Sequence, residues 1–208
     1  MKQMDNSSIM LRLATVEDIK QIIQLQFDSI RALCAQDYNP RELEALLLDK
    51  SKGRHWSEEI IFVAEIEAKI VGFAGLSRWN YLGNIGTITG LFVAPQFARQ
   101  GIGTLLVNKL EASALERKIA ILRVFSSLTG HPFYLDRGYK WVDRSWKSGK
   151  SIAIAKKAYI KLDYGVQIPC ILMEKVLTPP TPQEIIWNNL YKIFVVTAIV
   201  LLLIAIII

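Results

Sequence analysis

The sequence predicts an α/β domain with a mixed, mostly antiparallel central sheet and helices on both faces, followed by a C-terminal transmembrane helix. Three observations carry this. Apolar β-rich runs and helical runs alternate in the order β-α-α-β-β-β-α-β-α-β-β, mixing hairpins with one strand–helix–strand crossover. At 89–106 (TGLFVAPQFARQGIGTLL) an apolar run, a glycine turn and a helical pattern meet. From Ile193 to Ile208, sixteen residues carry no charge and a single polar side chain, Thr197.

Taken in order, residues 1–9 are mostly polar and form a loose, disordered arm. The alternating 10–13 (MLRL) is a first strand. Thr15 caps a first helix with Asp18 in its opening turn, and Ile19, Ile22, Ile23 and Phe27 give the helical spacing. Asn39-Pro40 starts a second helix with Leu43, Leu46 and Leu47 on one face. Runs 60–66 and 70–76 make a hairpin across Glu67-Ala68-Lys69, and 86–93 is the next strand. A helix follows Gly103 and ends near Arg117-Lys118, whose charges suit a helix C-terminus. Residues 119–125 form a buried strand. Pro132 leads a short helix over 133–137 that Gly138 stops, and 139–146 is another strand. Residues 147–166 are polar and basic without a period and read as a loop or irregular hairpin. The last strand is 168–176.

Length and composition narrow the function. The 208 residues hold one domain with a proper core and something extra. A charged fraction of 21% argues against disorder. The net charge of +6 suits a polyphosphate ligand or an anionic membrane surface. It is too modest, and too little interleaved with aromatics, for nucleic acid. Cys34 and Cys170 make neither a disulfide framework nor a metal spacing, and are expected as small buried residues in a reducing compartment. His55 and His131 lie far apart with no carboxylate or thiol cluster, so no metal is expected.

The chemistry concentrates at the glycine turn. Pro95 ends the run Leu91-Phe92-Val93, because it lacks the N–H that a ladder needs. After Gln96 to Gln100 come Gly101-Ile102-Gly103 and a helix start with Ile102, Leu105, Leu106 and Leu110. Such a turn aims unpaired N–H groups and the positive end of a helix dipole at one spot, which suits phosphate. A Walker loop would need Lys-Ser/Thr where Thr104-Leu105 stand, and a dinucleotide fingerprint would need a third glycine at Leu106.

Ala98-Arg99-Gln100-Gly101-Ile102-Gly103 resembles the acyl-CoA pyrophosphate loop of the GNAT N-acetyltransferase superfamily, Q/R-x-x-G-x-G/A, with Ala98 departing at the first position. A second family block, N-x-x-A-x-x-F-Y-x-x-x-G-F/Y, is matched by Phe133, Tyr134, Gly138 and Tyr139, with Ser127 at the Asn position and Gly130 at the Ala position. The opening LRLATVEDIKQI and the closing ILMEKVL also resemble the ends of such domains, so the likeness covers roughly 10–177. It implies a GNAT-like fold with acetyl-CoA as co-substrate and no metal. Arg99, Gln100, Gly101, Ile102, Gly103 and Thr104 would hold the pyrophosphate. The backbone of Leu91, Phe92 and Val93 would hold pantetheine, with the Val93 N–H as oxyanion donor, and Ser127 would join the cofactor site. Tyr134 would be the general acid, since an ordinary tyrosine of pKa ~10 keeps its proton at neutral pH. Residues 31–48 would border the acceptor site. The strand 86–93 offers only Thr87 and Thr89 as polar side chains, so the general base stays open between water, Glu65 and His131.

The tail is a second body. Thr178-Pro179-Pro180-Thr181-Pro182 make 178–184 a stiff linker. Sixteen helical residues span ~24 Å against a hydrocarbon core of ~30 Å. Starting the helix at Ile185 closes that gap, with Trp187 and Tyr191 at headgroup depth and Lys192 snorkelling. Lysines on the N-terminal side of 185–208 place the domain in the cytoplasm, and no apolar stretch follows Lys2 as a signal peptide would require. The expected protein is a single-pass, membrane-tethered enzyme. It moves an acetyl group from acetyl-CoA to a primary amine of a small molecule or peptide, with membrane lipid around its C-terminal helix. The rival is a non-catalytic acyl-CoA sensor that regulates a membrane partner. Ala98 and the missing strand carboxylate motivate the sensor, and Tyr134 opposes it.

Overall fold

The computed structural model describes residues 9–51, 59–78, 84–142, 146–148, 151–154, 157–162, 165–179, 181–183, 186, 190–191, 193–195 and 197–199. Strands β2 (Glu59–Ile66) and β3 (Lys69–Arg78) pair antiparallel through a turn in which Glu67 and Ala68 take φ of 48° and 61°. Two successive left-handed residues give the turn whose twist suits a hairpin. β1 (Met10–Leu13) adds to the outer edge of β2, and β4 (Ile85–Val93) to the far side of β3. β5 (Ile121–Ser126) lies parallel to β4, a pairing that needs a crossover, and α3 (Ile102–Glu116) supplies it. β10 (Gln167–Val176) then pairs antiparallel with β5.

Both faces of the central strands are buried, so their runs are continuously apolar. On one face Ile102, Leu106, Val107 and Leu110 of α3 pack over Phe62, Ala64, Ala74, Leu76 and Ile88. A Cβ at Gly72 would stand 3.1 Å from both Ile102 and Leu106, so this glycine lets α3 sit close on β3. On the opposite face Ile22 and Leu25 of α1 (Ile19–Leu33) cover Ile61, Val63 and Phe73. α2 (Pro40–Ser51) opens with a reciprocal cap. The Asn39 N–H donates to the Glu42 carboxylate at 2.9 Å, and the Glu42 N–H to the Asn39 side chain at 3.0 Å.

The entry to α1 rests on charge. Arg12 donates to both Asp18 oxygens, at 2.6 and 3.0 Å, and to Glu65 at 2.7 Å, while the Thr15 N–H donates to Asp18 at 2.8 Å. The Arg12 hydrogen bonds hold the Asp18 carboxyl at about 2, against an ordinary 3.8. A depressed carboxyl stabilises the fold above its ordinary pKa, and that contribution, ~2 kcal/mol here, disappears as pH falls toward the folded value. Asp18→Asn is therefore expected to lose ~2 kcal/mol at pH ~7 and almost nothing at pH ~2. Urea unfolding of both proteins at the two pH values measures it.

Several expectations change. Within 147–166, expected as a loop or irregular hairpin, the described residues take the hairpin alternative: β7 (Trp146–Ser148), β8 (Ser151–Ile154) and β9 (Lys157–Lys161) pair antiparallel, and β9 joins β10. The whole order is β1-β2-β3-β4-β5-β10-β9-β8-β7. The single strand expected over 139–146 is instead a two-residue β6 (Lys140–Trp141) against β10, with 143–145 outside the described residues. α3 begins at Ile102, before Gly103, and α4 (His131–Asp136) begins two residues early. Cys170 is buried, its thiol pushed up to about 12 by desolvation, whereas Cys34 is only half-buried.

Met1–Leu177 and Thr178–Ile208 are two separate units. In the second, the described positions among 186–199 are helical, and Ile193, Phe194 and Ile199 are more than half exposed. The Thr197 hydroxyl donates back to the Ile193 carbonyl at 2.8 Å. Among the described residues no helix is long and apolar enough to cross a membrane. The membrane helix expected over 185–208 falls largely outside them, Trp187, Lys192 and all of 200–208 included.

Candidate active site

The site begins where two strands part. β4 and β5 are paired from Ile85↔Ile121 to Ile88↔Val124 and no further. Beyond that point β5 stays with β10, through Phe125↔Leu172 and Ser126↔Ile171, and β4 stays with β3. The divergence has a local cause. Gly75 faces Gly90 and Leu76 faces Ile88, so Thr89 is one extra residue on β4, a β-bulge that bends the strand. Past the bulge the Ala94 N–H donates to the Val71 carbonyl at 2.8 Å. N–H groups alternate sides along a strand, so Phe92 also points at β3, while the Leu91 and Val93 N–H groups point to the side that β5 has left. Phe92 differs from its neighbours in packing too: its ring stacks on Phe73 at 5.3 Å, on the α1 face.

The glycine turn lies beyond the end of β4. A 3₁₀ turn over Pro95–Phe97 leads into Arg99 and Gly101, both left-handed at φ 62° and 89°. The first bond of α3 is from the Leu105 N–H to the Gly101 carbonyl, 3.1 Å. The N–H groups of Ile102, Gly103 and Thr104 therefore lack intrahelical acceptors. A Cβ at Gly101 would meet nothing within 4 Å, so the turn is open there, and unpaired N–H groups at a helix start suit an anion. Ile102 contributes backbone alone, since its side chain is 1% exposed in the core. The Gln100 amide donates to the Gln96 carbonyl at 3.0 Å, and its buried oxygen has no partner among the described residues.

α4 closes the arrangement. Gly103 is 3.5 Å from the Phe133 ring and 3.9 Å from a Val93 methyl, measured from a Cβ built on it. The end of β4, the start of α3 and α4 thus converge. Tyr134 follows Phe133 and is 5% exposed, its ring edge-on to Phe133 at 5.4 Å and to Tyr139 at 5.3 Å. Burial pushes its phenol above the ordinary tyrosine value. Ser127 acts locally, its hydroxyl accepting from the Gly130 N–H at 3.0 Å and shaping the turn into α4. That turn is also clamped by Tyr38, which sequence reasoning missed. Its hydroxyl accepts from the Leu128 N–H at 2.9 Å and donates to the Pro169 carbonyl at 3.0 Å.

The two candidate bases sit differently. Glu65 is engaged by Arg12 beside β1. His131 heads α4 edge-on to Trp141, with a buried Nε2 that has no partner among the described residues. The structure adds a carboxylate: Glu59, at the start of β2, accepts from the bulge residue Thr89 at 3.0 Å. Gly90 inside an apolar strand was the sequence signal for that bulge. No group of His, Cys, Asp and Glu among the described residues could hold a metal.

Known proteins share this fold. The structure superposes on the GCN5-related N-acetyltransferase of Rhodopseudomonas palustris with a TM-score of 0.68 and 24% identity, covering 84% of this chain and 99% of that one. It superposes on the PaiA N-acetyltransferase of Thermoplasma acidophilum, determined in complex with coenzyme A, with a TM-score of 0.61 and 20% identity over 81% and 99%. At these identities the likeness speaks for the fold alone. In sequence the chain is 28% identical over 141 residues to the uncharacterized N-acetyltransferase YafP of Escherichia coli K12, covering 65% of this chain and 84% of that protein. The model of the acetyltransferase (GNAT) family matches residues 19–139. That match takes in the bulged strand, the glycine turn and the tyrosine helix, more than half of the sequence, and this chain belongs to the acetyltransferase (GNAT) family.

Proposed function

We propose that this acyltransferase is a membrane-tethered N-acetyltransferase that moves an acetyl group from acetyl-CoA directly to a primary amine bound beside it. The observation that carries the proposal is the pair of N–H groups, Leu91 and Val93, facing the side from which β5 has parted. They can donate strand-like hydrogen bonds to the pantetheine carbonyls, and one of them can face the thioester oxygen as it gains charge. The cradle at Arg99 to Thr104 takes the pyrophosphate, and the PaiA structure, which shares the fold and was determined in complex with coenzyme A, supports a coenzyme A site on such a fold. The amine attacks the thioester carbon, the C–N bond forms and the C–S bond breaks. The Tyr134 phenol gives its proton to the leaving sulfur, and the proton that the newly acylated nitrogen loses restores the phenol. CoA release from acetyl-CoA across a panel of primary amines tests the reading. Tight acetyl-CoA binding without release to any amine would favour the sensor.

The tether rests on the tail. Its described helical positions expose Ile193, Phe194 and Ile199, and Thr197 bonds its own backbone, which a hydroxyl in lipid requires. Deleting 185–208 is expected to leave a domain that binds acetyl-CoA as before and no longer floats with phospholipid vesicles. Loss of acetyl-CoA binding on deletion, or flotation without the tail, would overturn the tether.

A further inference from the structure

The geometry points to Glu59, acting through the Thr89 hydroxyl, as the base that takes the proton from the acceptor, which therefore enters as an ammonium ion. This rests on the acetyl-transfer reading above. β4 has no acid, yet the strand register assembles a polar row across the sheet: Glu59↔Ser77, Ser77↔Thr87, Thr87↔Arg123 and Arg123↔Glu174. Alternation puts the row on one face. Ile61 and Val63, in phase with Glu59, pack against α1, whereas Phe62 and Ile88, out of phase with Glu59 and Thr87, pack against α3. The row thus lies opposite the helix whose N-terminus forms the phosphate cradle, so donor and acceptor can approach from different faces.

Thr89 connects this row to the site. Its bulge turns the hydroxyl to Glu59, 3.0 Å away across β3, where Gly75 carries no side chain. It stands two residues, about 7 Å along the strand, from the Leu91 N–H. An amine attacking at that N–H lies within reach of Thr89 through one water. Thr87, one turn of the pleat earlier, has a buried hydroxyl without a partner among the described residues, a place for that water or for the amine itself. The other charges on the row are Arg123, which donates to Glu174 at 3.1 Å, and Glu174. α1, packed over β3 and β4, buries Gln26 and Ser29 there and leaves Lys20, Asp28 and Arg31 exposed. The step balances. The ammonium gives a proton through the water to the Thr89 oxygen, which passes its own to the Glu59 carboxylate, and the neutral amine then attacks. Glu59 later releases the proton to solvent.

The size of the effect is bounded. An alkylamine of pKa ~10.4 is neutral in about one molecule in 2,500 at pH 7, so a base at the site is worth at most ~10³ in rate. Single-turnover rates with acetyl-CoA and an alkylamine, compared with the O-alkylhydroxylamine of equal length, test the assignment. Glu59→Gln keeps an acceptor for the Thr89 hydroxyl. It is expected to slow the alkylamine ~10²–10³-fold at pH 7 and the hydroxylamine, already neutral, by less than tenfold. The alkylamine deficit should close as pH rises, because solution then does the deprotonation. Thr89→Val should share this pattern and Thr89→Ser should restore the rate, a pair that decides the matter if Glu59→Gln fails to bind acetyl-CoA. Equal losses for both nucleophiles, or an unchanged pH profile in Glu59→Gln, overturn the base while leaving acetyl transfer intact. A wild-type protein that releases CoA to no amine overturns both.

Discussion

Tyr134→Phe is expected to cut single-turnover acetyl transfer by ~10²–10⁴, the range typical of a lost general acid, or roughly 3–5 kcal/mol of barrier. The substitution removes one oxygen and keeps the ring, so the edge-on contacts with Phe133 and Tyr139 survive. Acetyl-CoA affinity should therefore stay within a factor of two or so, and calorimetry on the variant separates a chemical loss from a binding loss. Burial decides both the sign of the pH dependence and the place within the range. A phenol pushed above its ordinary ~10 keeps its proton throughout the neutral and mildly alkaline range, so Tyr134 sets no alkaline limb below that value. An ordinary phenol is already a weaker acid than a thiol of pKa ~8.5, and burial widens the gap, so full transfer to a thiolate is uphill. The loss should accordingly fall in the lower half of the range. It should shrink further for an acyl donor whose thiol leaves more readily as the anion. Turnover unchanged by Tyr134→Phe, with chemistry limiting, would take the residue out of the mechanism.

What the sequence disclosed depended on whether a feature was local. Long apolar strands such as β2 and β3, and caps such as Asn39 with Glu42, announce themselves within a few residues, because burial and end-capping act at fixed spacings. The strands β7, β8 and β9 did not. They are three to five residues long and rich in lysine and serine, and their order comes from pairing in series outward from β10, through β9 and β8 to β7, rather than from an amphipathic pattern of their own. The hairpin turn at Glu67-Ala68 was placed correctly, although neither residue favours the left-handed conformation it adopts.

The candidate site divides along the same line. The cradle is continuous in sequence, so glycines at 101 and 103 after an apolar strand pointed to it directly. The Tyr38 clamp spans 90 residues to Leu128 and 131 to Pro169, and the Glu59–Thr89 bond joins strands separated by a third; neither leaves a spacing to read. Weighing β4, Glu65 and His131 for the base therefore passed over Glu59, which the bulge brings into hydrogen-bond contact with Thr89. Ser127 has a local part that its motif position does not show: its hydroxyl accepts from the Gly130 N–H in the turn before α4.

Gly101→Glu is expected to weaken acetyl-CoA binding about a hundredfold without unfolding the domain. Two costs must be kept apart. At φ 89° any side chain is strained, by roughly 1–2 kcal/mol, even though a Cβ there meets nothing within 4 Å. That strain lowers stability and is shared by Gly101→Ala. The carboxylate adds repulsion: two unit charges ~5 Å apart at an effective dielectric of ~20 interact by ~3 kcal/mol, or ~10² in affinity. It also competes with phosphate for the N–H groups of Ile102 to Thr104, and its favourable meeting with the helix dipole, roughly 0.3–1 kcal/mol, helps the empty fold while opposing the ligand. Gly101→Ala should consequently lose stability comparable to Gly101→Glu yet bind acetyl-CoA within about tenfold of wild type. Raising the salt should narrow the gap between the two variants, since screening acts on the charge and not on the strain. Calorimetric affinities for the three proteins at low and high salt give the answer. Equal affinity of Gly101→Glu and wild type would remove the pyrophosphate from this turn.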